Sequence, residues 1–127
     1  MRPARGGTNT GYWWGNDLGR GQTVCVGCGS TFDRRQPGPA GSFPANPFGL
    51  TETLGNIAEW TADCWNDSYR GAPADGSAWL NGACRVRVLR GGAFNSDPRY
   101  IRSGSRLRYD ADVRYSANGF RVVRDLP

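Results

Sequence analysis

The sequence has 127 residues, enough for one domain with one modest core. Its 19 Gly and 8 Pro are accompanied by 5 Trp, 5 Tyr and 5 Phe, apolar bulk that disordered chains lack, so the expectation is a folded domain rich in tight turns. The net charge of +5 is carried by Arg without Lys, and the absence of His excludes imidazole catalysis and histidine metal ligands.

The chain opens on Met1-Arg2-Pro3-Ala4-Arg5-Gly6-Gly7, too polar and too glycine-rich for a signal peptide. The expectation is a cytoplasmic protein, or an exported one if the chain belongs to a longer precursor. Residues 6–41 are turn-rich, with Tyr12, Trp13 and Trp14 anchoring the first loop on the core. Gly38 to Leu50 holds three prolines and three glycines, so it runs extended rather than helical, with Phe43 and Phe48 turned inward. Thr51 to Leu54 predicts one short helical turn, broken at Gly55-Asn56. Ile57 to Cys64 alternates in part and predicts a strand with Trp60 inward. A loop follows over 66–84. Arg85 to Arg90 gives the clearest strand pattern, and Gly91-Gly92 ends or bulges it. Residues 93–118 carry few aliphatics and predict an exposed polar-aromatic surface. Gly119 to Arg124 predicts a last strand, with Phe120 in the core.

Cys25 and Cys28 lie in one Cys-x-x-Cys, while Cys64 and Cys84 flank the long loop. Four thiols could hold one zinc, but the second Cys-x-x-Cys that such a site wants is missing. The pattern favours a disulfide or close thiol pair at 25–28 and another at 64–84; free buried thiols remain the alternative. The arginines are dispersed, with no nucleic-acid motif, and there is no apolar run of membrane-spanning length. Neither a nucleic acid nor a membrane is expected as a partner.

Four stretches in order resemble the sulfatase-modifying factor family, whose type member is the formylglycine-generating enzyme. They are Gly11-Tyr12-Trp13-Trp14-Gly15-Asn16, Gly41 to Leu50, Leu54-Gly55-Asn56-Ile57-Ala58-Glu59-Trp60, and Val88 to Phe94. Arg102-Ser103 with Arg106 and the closing Gly119-Phe120-Arg121-Val122 extend the match. The resemblance implies an α+β fold, a C-type-lectin-like variant that is loop-rich, with short twisted antiparallel strands and little helix. Residues 1–127 would be a single domain matching the C-terminal portion of the family's domain. Ala4-Arg5-Gly6-Gly7 matches a segment that follows the family's N-terminal half, so that half is expected to be missing. A partner or a second copy of the chain would then cover the face it leaves.

The resemblance also implies a Ca2+ site made by the side chains of Glu52 and Glu59 and the carbonyls of Gly55 and Ile57. The competing expectation is an ion pair from Glu59 to Arg90 or Arg121. A second family calcium site would use Val24, Cys25 and Asp33, and Val24 weakens it because its side chain carries no oxygen. The family's two reactive cysteines, which bind copper, align with Ser96 and Ile101. Neither supplies a thiolate, so no copper is expected. Related sulfoxide synthases bind iron through His, so no iron is expected either.

The expectation for function is therefore a non-catalytic ligand-binding or structural module. Its binding face would comprise Phe94, Asn95, Asp97, Tyr100, Arg102, Arg106, Tyr109 and Tyr115, with a protein or glycan ligand. One alternative is an enzyme of the family's oxidoreductase type, with substrate near Trp14, Trp60 and Arg106. Another is the variable target protein of a diversity-generating retroelement. Ser96, Asp97, Tyr100, Ser105, Tyr109, Asp110, Tyr115 and Ser116 are each one adenine change away from an Asn codon.

Overall fold

Strands form where an alternating segment finds a partner edge, and among the described residues that happens four times. The computed structural model describes residues 5–126, so Met1 to Ala4 of the leader reading and of the Ala-Arg-Gly-Gly match lie outside the described residues. The strands are β1 (Ala58–Trp65), β2 (Ala83–Arg90), β3 (Arg106–Asp110) and β4 (Asn118–Gly119), in the sheet order β3-β2-β1-β4. β1 with β2 and β2 with β3 are antiparallel, and β4 adds a two-residue parallel pair to β1. Among the described residues helix is nearly absent; a 3-10 turn covers Pro98–Tyr100. No helix of the described residues is long and apolar enough to cross a membrane.

β1 and β2 arise where alternation predicted them. Their register slips between Trp60, opposite Leu89, and Cys64, opposite Arg87. Such an irregularity disrupts the ladder locally. There the Arg87 guanidinium donates to the Ala62 carbonyl at 2.7 Å. The loop between β1 and β2 returns to its start: Cys64 N–H donates to Trp79 O at 2.8 Å, and Trp79 N–H donates to Asp63 Oδ1 at 2.8 Å. Disulfides join Cys64 to Cys84 and Cys25 to Cys28, so both expected pairs are bonded.

Four expectations are corrected. β3 lies inside the stretch expected to be surface, and its Arg-Leu-Arg-Tyr alternation is the signal. The last strand stops at Gly119, because the segment beyond it finds no described strand to pair with; Phe120 is 76% exposed instead of buried. Phe48 is 58% exposed, whereas Phe43 packs on the core as expected. The helical turn at Thr51 does not form. Glu52, Gly55 and Asn56 have φ of 48°, 76° and 69°, left-handed values that a right-handed helix cannot contain.

The core has two parts. Tyr12, Cys25, Cys28, Leu54 and Ile101 form one, against which Trp13, Trp14 and Leu18 pack. Val24, Ala58, Leu89, Ala93, Phe94 and Ala117 form the other, with Trp60, Leu107 and Tyr109 against it. Gly91 and Gly92 sit between them. A Cβ on Gly91 would lie 2.7 Å from the Thr53 carbonyl oxygen, and one on Gly92 would lie 2.6 Å from Ile101 Cγ2. Both have positive φ, so only glycine fits without strain.

Candidate functional site

Side chains alternate across a strand, so β3 presents two chemistries. Leu107, opposite Leu89, and Tyr109 turn toward the core; Arg106 and Arg108 turn the other way. On the core side, Tyr109 meets the Tyr115 ring at 6.0 Å, and Asn95 Nδ2 donates to the Tyr115 hydroxyl at 2.9 Å. The 3-10 turn closes this side. Asp97 caps it by accepting from Arg99 N–H at 3.0 Å and pairs with Arg99 Nε at 3.2 Å. The backbone hydrogen bond from Arg99, then its side-chain bond, hold the Asp97 carboxyl below its ordinary value.

These elements enclose a depression of about 280 Å³. Its walls are Asn95, Ser96, Asp97, Tyr100, Tyr109 and Tyr115; its floor is Ala58, Ala93, Leu107, Ala117 and Asn118. Asn118 Nδ2 is buried there with no acceptor among the described residues. A buried donor without a partner is costly, and this nitrogen is shielded from solvent although its residue lines the depression.

Asn95, Asp97, Tyr100, Tyr109 and Tyr115 of the expected face are thus brought together. Phe94 is not on that face: it is buried in the core, because its ring follows the chain inward after Gly92. Arg102 is exposed outside the lining, and Arg106 lies across the sheet. Trp14, Trp60 and Arg106 do not converge. Trp14 stacks on Tyr12 at 5.0 Å, Trp60 packs on the second core cluster, and Arg106 lies over Trp65 and Tyr69. The alanine floor and Asn118 have no signal in the sequence beyond their small size.

The carboxylates singled out for cations are engaged by protein donors. Arg121 grips Glu59, with Nε 2.8 and 2.9 Å from its two oxygens and Nη2 2.6 Å from Oε1. Nη2 also donates to the carbonyls of Thr51 and Glu52. This is the ion pair expected as the alternative to calcium. Glu52 instead accepts from the N–H groups of Gly41 and Phe43, and the Gly55 carbonyl accepts from Ile57 N–H. In this arrangement the Glu59 carboxylate is taken by the Arg121 guanidinium and the Glu52 carboxylate by backbone N–H groups. Asp33 accepts from Cys25, Gly29 and Ser30 N–H and from the Ser30 hydroxyl, beside buried Val24. No group of three or more His, Cys, Asp or Glu among the described residues could hold a metal ion.

Ser96 lies on the rim of the depression, its Oγ accepting from Ala93 N–H at 3.0 Å. Ile101 is fully buried under Gly92. No cysteine is free.

A model of the "Sulfatase-modifying factor enzyme 1-like domain" matches residues 2–126. The formylglycine-generating enzyme of Mycobacterium tuberculosis is 30% identical, over 96% of this chain and 47% of that protein. Among solved structures, PvdO from Pseudomonas aeruginosa superposes with a TM-score of 0.84 at 35% identity, covering 94% of this chain and 47% of that one. Treponema denticola variable protein 1 gives a TM-score of 0.72 at 27% identity, covering 92% and 41%. The chain therefore spans less than half the length of each of these proteins. The α+β, C-type-lectin-like class, loop-rich with short strands and little helix, stands with these neighbours.

Proposed function

This chain belongs to the sulfatase-modifying factor domain family, the family of the formylglycine-generating enzymes, and from that premise we propose that it is a non-catalytic binding module. Its ligand would sit in the depression between Tyr109, Tyr115 and the Asp97-capped turn. The carrying observation is chemical. The positions matching the family's reactive pair hold a hydroxyl and a hydrocarbon, Ser96 and Ile101. Neither ionises to a soft sulfur donor, and the four cysteines elsewhere are tied in disulfides. What remains beside Ser96 is a small basin with tyrosine walls. Tyr offers rigid contact area at low entropic cost, and its hydroxyl offers a polar group beside it. A protein loop or a glycan that presents a flat apolar face and one polar group suits that lining.

The test is a screen of the purified protein on glycan and peptide arrays, followed by Tyr109→Ala and Tyr115→Ala. Each change should weaken the captured ligand by about tenfold or more. Undiminished binding would remove the depression from the account. Tight, stoichiometric copper with oxygen uptake on a cysteine peptide would restore the oxidoreductase reading. A second reading, a retroelement-diversified target protein, is favoured by one observation: Ser96, Asp97, Tyr100, Tyr109 and Tyr115, all one adenine change from Asn, line the same basin. Sequencing related loci for substitutions confined to those codons tests it.

The segment after β4 supports a partner or a second copy as part of this reading. Val122 (86%), Val123 (89%) and Leu126 (82%) are, like Phe120 (76%), largely exposed, four apolar side chains set among Arg121, Arg124 and Asp125. Native mass measurement across a concentration series should show association that Phe120→Ser with Val122→Ser reduces.

A further inference from the structure

The outer face of β3 carries two arginines, of which Arg108 meets the exposed Asp67 carboxylate loosely, at 4.0 Å, and Arg106 meets no carboxylate among the described residues. Arg106 stands directly opposite Arg90, a like-charge cross-strand pair that is ordinarily unfavourable. Arg90 is satisfied by the Gly104 and Ser105 carbonyls at 3.4 and 3.1 Å and by the Tyr69 hydroxyl at 2.9 Å. Arg106 accepts no such help. Its guanidinium lies 4.5 Å from the centroid of Trp65 and 4.5 Å from that of Tyr69, and it has no hydrogen-bond acceptor among the described residues. Two rings hold the guanidinium while its N–H groups stay without a described acceptor, and such a group suits a carboxylate. Arg108, two residues on and on the same face, lies over Trp65 at 5.2 Å and meets the exposed Asp67 at 4.0 Å. Asp110 ends the row.

β3 is also the outermost strand on its side of the sheet and pairs only with β2. Among the described residues, the backbone hydrogen bond outside that ladder that reaches β3 is the turn from Val113 N–H to Asp110 O. Its outer edge is therefore available to an added strand.

We propose that the free edge of β3 docks an extended acidic peptide segment, with carboxylates at alternate positions on Arg106 and Arg108. Residues two apart in a strand are separated by about 7 Å, so an added strand presents its own alternate side chains at matching intervals. The same arginines repel the β3 edge of a second copy, which makes the edge selective rather than generally adhesive. This site lies across the sheet from the tyrosine basin, so either can fail without the other.

A short synthetic peptide alternating Glu and Val tests the proposal, titrated at low salt with a fluorescent label and read by anisotropy. The comparison peptides are its Gln-Val counterpart and the Glu-Val peptide N-methylated on the amides facing β3. The Glu-Val peptide should bind, and each comparison peptide should lose at least about tenfold in affinity. Arg106→Gln should cost a similar factor, and Arg106→Lys should recover only part of it, because an ammonium keeps the charge but not the stacked fork. Near-ultraviolet circular dichroism confirms that each variant is folded. Equal binding to Arg106→Gln overturns the proposal, as does indifference to N-methylation, equal affinity for free glutamate, or no binding of the Glu-Val peptide at millimolar concentration.

Discussion

Residues 5–57 and 58–119 reach order by different means. The second region is a sheet, and its backbone groups satisfy each other along ladders. The first has hardly any ladder; Tyr12 and Gly15 form an isolated bridge. Its loops are fixed by side chains that accept backbone N–H groups: Asn16 from Gly11, Asp33 from Cys25, Gly29 and Ser30, Asn46 from Phe48 and Leu50, Glu52 from Gly41 and Phe43, and Asn56 from Gly38. Buried loops need such acceptors, because an unpaired backbone donor costs as much as a lost hydrogen bond. An acidic residue in an irregular region can thus do for the backbone what a ladder partner does in a sheet.

That contrast can be broken most forcefully where the regions meet. Gly92→Ala adds a Cβ 2.6 Å from Ile101 Cγ2 and 2.9 Å from the Tyr100 carbonyl at a φ of 67°. It should destabilise by about 3 kcal/mol or more in urea denaturation. Next, removing the Cys64–Cys84 bridge, which spans 20 residues, should cost roughly 3 kcal/mol by loop entropy, against roughly 2 for Cys25–Cys28, which spans 3. If the two costs came out reversed, the short bridge would be holding loop structure beyond what entropy explains.

Asp33→Ala should cost about 2 kcal/mol by stranding several backbone donors, while Arg85→Ala on exposed β2 should stay within about 0.5. Similar losses at both would erase the distinction between the regions. The smallest effect concerns Asp97. Its carboxyl is held below 3.8, first by the Arg99 N–H and then by the Arg99 side chain. Its contribution to the 3-10 turn is therefore present above the unfolded value and lost as pH falls through the lower folded one. An NMR titration should place the midpoint below 3.8, and a midpoint above it would remove the cap.

The sheet's central pair was legible because Arg85 to Arg90 alternates and Trp60 supplies an inward ring. The disulfides followed from where the cysteines stand, and the family from the order of its glycine-aromatic motifs. β3 was hidden because its inward residues, Leu107 and Tyr109, are separated by arginines in a polar stretch. Phe48 and Phe120 misled because hydrophobicity describes a preference for burial and does not supply a neighbour. Glu59 could have found either of two arginines. The choice of Arg121, 62 residues away, depends on β4 lying beside β1, which local pattern does not encode. The tyrosine basin was readable as a list of residue types, but its floor of small side chains was not.

Because β3 has opposite characters on its two sides, its phase matters more than its neighbours' identities. One extra residue inserted at Gly104-Ser105 would turn the strand over, thrusting guanidinium groups into the alanine-floored basin and Leu107 and Tyr109 into water. The length of that short connector is thus under tighter constraint than its composition, and deletions or insertions there should be far less tolerated than substitutions.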